Sequence, residues 1–206
     1  DYTSIAVTTD DSNDEIVYAS SMGDGVIQYK NGTPVQSYNE KNAFKETAGG
    51  YGSGYCYIDG LAFDKNGNLW MTSSEVNHAV LVLDKAGAWH RLDIEQLRGV
   101  YTINDILITS TNDKWIYVPR NTPKLVMIPN SESLDEVSSY EFTTLIDTDG
   151  KELTPSNYTC VAEDKDGYIW VGTNRGAVYF TKPRISSAED KAATRCTRVK
   201  YTNEET

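Results

Sequence analysis

Three observations predict an all-β chain built from four similar units. The sequence aligns with itself without gaps: Leu61-Ala62-Phe63-Asp64-Lys65-Asn66-Gly67-Asn68-Leu69-Trp70-Met71-Thr72 falls on Val161-Ala162-Glu163-Asp164-Lys165-Asp166-Gly167-Tyr168-Ile169-Trp170-Val171-Gly172 at a constant offset of 100. Apolar residues alternate with a period of two rather than 3.6. Turn residues recur every 8 to 12 positions.

Each element follows from these signals in order. In the first unit, Ile5-Ala6-Val7 and Val17-Tyr18-Ala19 read as strands. The second unit predicts a strand over Tyr57–Asp64, then a tight turn at Lys65-Asn66-Gly67 whose Gly67 supplies the positive φ. Strands over Asn68–Ser73, Ala79–Asp84 and Trp89–Ile94 follow, with Lys85-Ala86-Gly87 closing the last hairpin. The third unit shows Ile106-Leu107-Ile108 and Ile116-Tyr117-Val118. The fourth predicts Tyr158–Glu163, Tyr168–Thr173, Ala177–Thr181 and Arg195–Tyr201. Tyr18, Trp70, Tyr117 and Trp170 serve as the anchor aromatics, one per unit. Helical turns are expected only over 95–100 and 187–194, inside loops.

Four antiparallel strands in about 50 residues make one propeller blade. The whole chain, 1–206, therefore reads as a single β-propeller region with blades at about 1–42, 50–97, 101–147 and 155–203. Propellers close with about 4–8 blades, and an open arc leaves faces and edges unpaired. The chain starts on an inner strand and ends after an outer one, with no strand exchange to latch a ring. The expectation is a piece of a larger ring or multi-propeller protein, with further domains after residue 206. A compact four-bladed ring and a dimer of two arcs are the alternatives.

Composition narrows the function classes. Thirty acidic residues against 19 basic ones give a net charge of −11. That balance argues against nucleic acid, whose phosphates require a basic face, and against an anionic membrane surface. The 14 Tyr, 4 Trp and 4 Phe exclude a disordered acidic chain. No apolar run approaches the roughly 20 residues of a membrane span. The first residues already read as a strand entry, so any targeting segment is expected to have been removed.

The segment Asp164-Lys165-Asp166-Gly167-Tyr168-Ile169-Trp170-Val171-Gly172-Thr173-Asn174-Arg175-Gly176-Ala177 resembles the two-component-regulator propeller repeat. That repeat is typical of periplasmic sensor halves in Bacteroidetes. The copy at Asp64 keeps the turn and the Trp but has Met71-Thr72-Ser73 in place of Val-Gly-Thr, and the other two copies show neither feature. A narrower resemblance is carried by Gly60-Leu61-Ala62-Phe63-Asp64, Trp115-Ile116-Tyr117-Val118-Pro119-Arg120, Leu153-Thr154-Pro155-Ser156-Asn157 and the strand at Cys196. These are similar to the first propeller region of the PorZ-type family of the type IX secretion system. The resemblance implies a periplasmic or cell-surface accessory that holds an acidic lipopolysaccharide or docks a secretion partner. Related hybrid sensors use the same repeats to bind glycan pieces.

Candidate residues are weighed against structural roles. Asp64 and Asp164 open turns too short for a calcium loop, so each is expected to hold its own turn's N–H groups. Gly67 and Gly167 complete those turns, and Trp70 and Trp170 are expected in the core, with Tyr117 as their counterpart in the third unit. Asp147-Thr148-Asp149-Gly150, with Glu152 nearby, is the better calcium spacing but reads as a plain turn. No metal, cofactor or catalytic residue is predicted, and neither His78 nor His90 has a triad or metal-like neighbour. Three cysteines are expected to be free and largely buried. The candidate ligand-binding residues lie on the connections between strands two and three and on the Gly- and Tyr-rich loop before the second blade: Tyr51, Tyr55, His78, Arg120, Asn121, Asn174 and Arg175. Two arginines sharing one mouth could pair with a carboxylate or phosphate on a glycan. An enzyme would instead need clustered carboxylates or a His/Tyr pair at the channel, and no unit shows one at matching loop positions.

Overall fold

The computed structural model describes residues 2–45 and 54–199. Blade one comprises β1 (Tyr2–Thr9), β2 (Glu15–Gly23), β3 (Gly25–Lys30) and β4 (Thr33–Tyr38). Blade two comprises β5 (Cys56–Phe63), β6 (Leu69–Ser73), β7 (Val80–Leu83) and β8 (Trp89–Leu92). Blade three comprises β9 (Ile106–Ile108), β10 (Lys114–Val118), β11 (Lys124–Ile128) and β12 (Tyr140–Phe142). A small hairpin follows, β13 (Leu145–Ile146) with β14 (Glu152–Leu153), which the sequence had suggested only as a turn. Blade four comprises β15 (Tyr158–Glu163), β16 (Tyr168–Thr173), β17 (Gly176–Thr181) and β18 (Cys196–Arg198). Each blade is an antiparallel meander, and Met22 and Gly23 of β2 also pair with Tyr57 and Cys56, so blades one and two run into one sheet. The helical turns fall where expected, at Glu95–Leu97 and in α1 (Ala188–Ala193), whose cap Ser187 accepts a hydrogen bond from the Asp190 N–H.

Three apolar layers glue the blades face to face. Ile16, Tyr18 and Val26 of blade one pack on Ile58, Leu69, Met71 and Leu81 of blade two. The opposite face of blade two, with Trp70, Val80 and Val82, meets Ile106, Ile116 and Val126 of blade three. Trp115, Leu125 and Met127 of blade three then meet Ile169, Val178 and Phe180 of blade four. Among the described residues, no such layer joins blade four to blade one, and the four blades form an arc. The outer face of blade one exposes Ile5 (62%) and Val7 (58%). The outer face of blade four leaves Trp170 half-buried against Tyr179, at 4.9 Å between ring centroids, and Cys160 exposed. Trp170 and Cys160 therefore depart from the expected core positions, because no blade covers this face. Cys56 and Cys196 are buried as expected, and burial pushes both thiols up from their ordinary pKa.

The turn geometry corrects the alignment of the weaker units. In blade two, Asp64 N–H donates to Asn68 O and Gly67 N–H to Asp64 O, with Gly67 at φ 82. The same pair of bonds in blade three links Thr109 with Asp113 and Asn112 with Thr109, with Asn112 at φ 68. Trp115, two residues before Tyr117, is thus the counterpart of Trp70, and the third copy has kept its tryptophan. In blade one the bonds link Asp10 with Asp14 and Asn13 with Asp10, which puts Ile16 rather than Tyr18 at that position. Asn replaces Gly in both turns because it too tolerates the left-handed region, and that substitution hid the motif.

Candidate functional site

The inner strands β1, β5, β9 and β15 neighbour one another around the arc's concave side. The register of β1 shifts between Tyr2 and Ser4, that of β5 between Ile58 and Leu61, and that of β15 between Tyr158 and Cys160. Such bulges re-aim side chains at the end of an inner strand. The bulges of β1 and β5 fall at a cavity of about 250 Å³ lined by Thr3, Met22, Tyr57, Asp59, Asn104 and Asp105. Asp59 Oδ2 accepts a hydrogen bond from Ser74 Oγ at 2.7 Å, and that hydroxyl accepts from the Ile103 N–H at 2.8 Å, tying blade two to blade three. Burial pushes the Asp59 carboxyl up to about 8, and burial also raises that of Asp105. Asp105 is held close to Gly60, where any Cβ would meet its backbone at 2.9 Å. The sequence did not pair these carboxylates, since they lie on separate blades and only inter-blade packing brings them together.

Among the described residues, none of the predicted ligand residues lines this cavity. Tyr55 sits at its rim, its ring 6.3 Å from that of Tyr57 and packed on Gly23, which at φ 123 leaves no room for a side chain. Tyr51 lies outside the described residues. His78 sits on the β6–β7 connection and lines a small crevice with Phe44 and Arg91. Arg120 and Asn121 are exposed on the β10–β11 connection, and Arg175 on the β16–β17 turn of the next blade. Asn174 is a brace: its Oδ1 accepts from the Ser156 and Asn157 N–H groups at 2.9 and 3.2 Å. His90 Nε2 lies 2.9 Å from Asp84 Oδ2.

The structural residues show a device that sequence reasoning half caught. Asp64 Oδ1 accepts from the N–H groups of Asn66 and Asn68, both at 2.9 Å, as expected of a turn-holding aspartate. Its Oδ2 also accepts the Trp70 indole N–H at 2.9 Å. Asp164 repeats this with Asp166, Tyr168 and, at 2.7 Å, the Trp170 indole, and that indole bond leads the causes holding its carboxyl below the ordinary range. The buried Lys114 places its ammonium 4.4 Å from the centre of the Trp70 ring, a partner no sequence signal announced. Asp147 is engaged by the Asp149 and Lys151 N–H groups and by the Arg198 guanidinium at 2.7 Å, which accounts for its conformation as a turn.

Fold and repeated Asp–Trp turn together define a β-propeller arc, and residues 152–175 match the family described as two component regulator propeller. Among solved structures, the chain is similar to PorZ, a surface component of the type IX secretion system of Porphyromonas gingivalis. The TM-score is 0.79 at 17% identity, covering 94% of this chain and 26% of PorZ. It is also similar to the extracellular domains of two hybrid two-component systems from B. thetaiotaomicron. One gives a TM-score of 0.62 at 14% identity over 98% of this chain and 24% of the other. The second gives 0.56 at 17% identity over 87% and 21%. The chain thus spans about a quarter of the length of these structures, and the likeness is one of fold. No curated protein sequence matches it. Among the described residues, no helix is long and apolar enough to cross a membrane.

Proposed function

We propose that this chain is part of an extracytoplasmic, non-enzymatic propeller that binds a ligand or protein partner as an accessory of type IX secretion. The observation that carries this reading is the fold shared with PorZ across 94% of the chain. The ligand favoured is an acidic glycan or lipopolysaccharide, and secretion-system proteins are the favoured partners. Arg120 and Arg175, exposed on adjacent blades, offer guanidinium groups suited to carboxylate or phosphate.

A glycan array containing acidic lipopolysaccharide fragments tests the reading, with the chain compared against an Arg120→Gln/Arg175→Gln variant. Acidic glycans should be retained by the chain and lost by the variant. Absence of binding, or binding unchanged in the variant, would sink the arginine mouth. A second reading, the glycan-sensing ectodomain of a hybrid two-component sensor, is supported by the two B. thetaiotaomicron domains of the same fold. A membrane helix and kinase module encoded after this region would select it.

A further inference from the structure

Blades two and four secure their tryptophan through an aspartate carboxylate, and blade three lacks that carboxylate. At the place of Asp64 and Asp164 stands Thr109. Its hydroxyl is committed to Thr111 Oγ1 at 2.9 Å and to the Asp113 N–H at 3.0 Å. Trp115 is only 1% exposed, yet among the described residues its indole N–H has no hydrogen-bond partner. Neighbouring acids do not take over the role. Asp113 accepts from the Asn130 N–H at 2.8 Å and from Thr111 Oγ1 at 2.6 Å. Glu163 accepts from the Ser110 N–H and hydroxyl, both at 2.5 Å. The indole N–H thus has no protein acceptor among the described residues and is not sealed from solvent, so it is available to an oxygen brought in from outside.

Thr109 and Trp115 both line a cleft of about 290 Å³ between blades three and four. Lys165, Lys182 and Arg184 line the same cleft, and none of the three makes an ion pair or hydrogen bond with a described residue. Asp113, Glu163 and Asp166 are the acids on the same lining. Lys182 is held at φ 45, a backbone region non-glycine residues seldom occupy, beside Gly167. In a chain of net charge −11, a cleft whose three cations match its three acids is less negative than the surface as a whole.

We propose that this cleft binds a small ligand carrying one oxyanion, a carboxylate or sulfate, on a body of monosaccharide size. The oxyanion accepts the Trp115 N–H where the repeat elsewhere supplies an aspartate, and it pairs with Lys182 and Arg184. The volume lies at the small end for ligand pockets, which suits a single ring. The proposal rests on the ligand-binding reading above, but on a different surface from Arg120 and Arg175.

The test follows the indole N–H resonances of the 206-residue chain by ¹⁵N NMR, assigned through single Trp→Phe variants. The probes are D-glucuronate, D-glucose 6-sulfate and D-glucose. At least one anion should shift the Trp115 resonance saturably, and glucose should not. The two anions distinguish carboxylate from sulfate recognition. Lys182→Gln/Arg184→Gln, both exposed positions, should weaken binding about tenfold. Thr109→Asp should abolish the response by supplying the repeat's own carboxylate, while the Trp115 indole moves toward the positions of Trp70 and Trp170. A Trp115 resonance indifferent to both anions, equally sensitive to glucose, or still responsive in folded Thr109→Asp would overturn the proposal. Failure of the glycan array bears on the arginine mouth and leaves this titration standing, and the reverse also holds.

Discussion

Trp70 and Trp170 carry the same repeat position and the same aspartate bond, yet differ in what covers them. Trp70 lies between two blades at 1% exposure, whereas Trp170 lies half-buried on the arc's outer face. Trp70→Ala should therefore cost about 3–5 kcal/mol through the cavity left behind, and Trp170→Ala roughly half that, measured by urea denaturation. Equal losses would show that the outer face of blade four is covered in solution. Asp59 gives the pH prediction. Its folded pKa, about 8, lies above the unfolded value of 3.8, so the folded state holds the extra proton between those values. The Asp59 contribution to stability is then largest below pH 4, falls as pH rises to 8, and levels off beyond. Asp59→Asn keeps an acceptor for Ser74 and should raise stability by about 1–3 kcal/mol at pH 8, with little change at pH 4. A variant whose unfolding free energy tracks the parent's across that range would contradict the assignment.

At the scale of the element, the turn between the first two strands is where a blade couples to its neighbour. Asn112 occupies the left-handed position of the blade-three turn, and its side chain also accepts from the Lys65 N–H and donates to Asn130, both at 2.9 Å. Asn112→Gly relieves a backbone strain of roughly 1 kcal/mol but removes two hydrogen bonds of about 1 kcal/mol each. Net destabilisation of about 1 kcal/mol is expected in chemical denaturation. A stabilised variant would mean that these bonds contribute nothing to blade docking. The same element shows why the third repeat was illegible. With Thr109 for Asp and Asn112 for Gly, the turn keeps its hydrogen bonds while losing both residues that mark it. The sequence accordingly marks Tyr117, a neighbour of Trp115 on the same strand and in the same apolar layer.

For the whole molecule, protection should follow the number of covered faces. Blades two and three are packed on both sides, and blades one and four on one side each. Native-state amide exchange should be slowest in β6 and β10 and faster in β1 and β17, because local opening is easiest where fewer apolar contacts must break. Uniform protection across the four blades would point to a closed or associated form in solution. The exposed Ile5, Val7 and Trp170 faces are of the kind that pack between blades elsewhere in the arc, which makes them the first places to look for such contacts.

Alternation of period two, the 100-residue self-alignment and the Asp-x-x-Gly-x-Ile-Trp turn at Asp164 determined the four-bladed β architecture by themselves. They could do so because strand period, turn conformation and repeat length are local properties of the chain. Tertiary structure alone decided which faces are covered, that Asp59 and Asp105 share a cavity, and that Lys165, Lys182 and Arg184 share a cleft with Trp115. These depend on blades stacking side by side, which brings together residues whose sequence separation carries no trace of their contact.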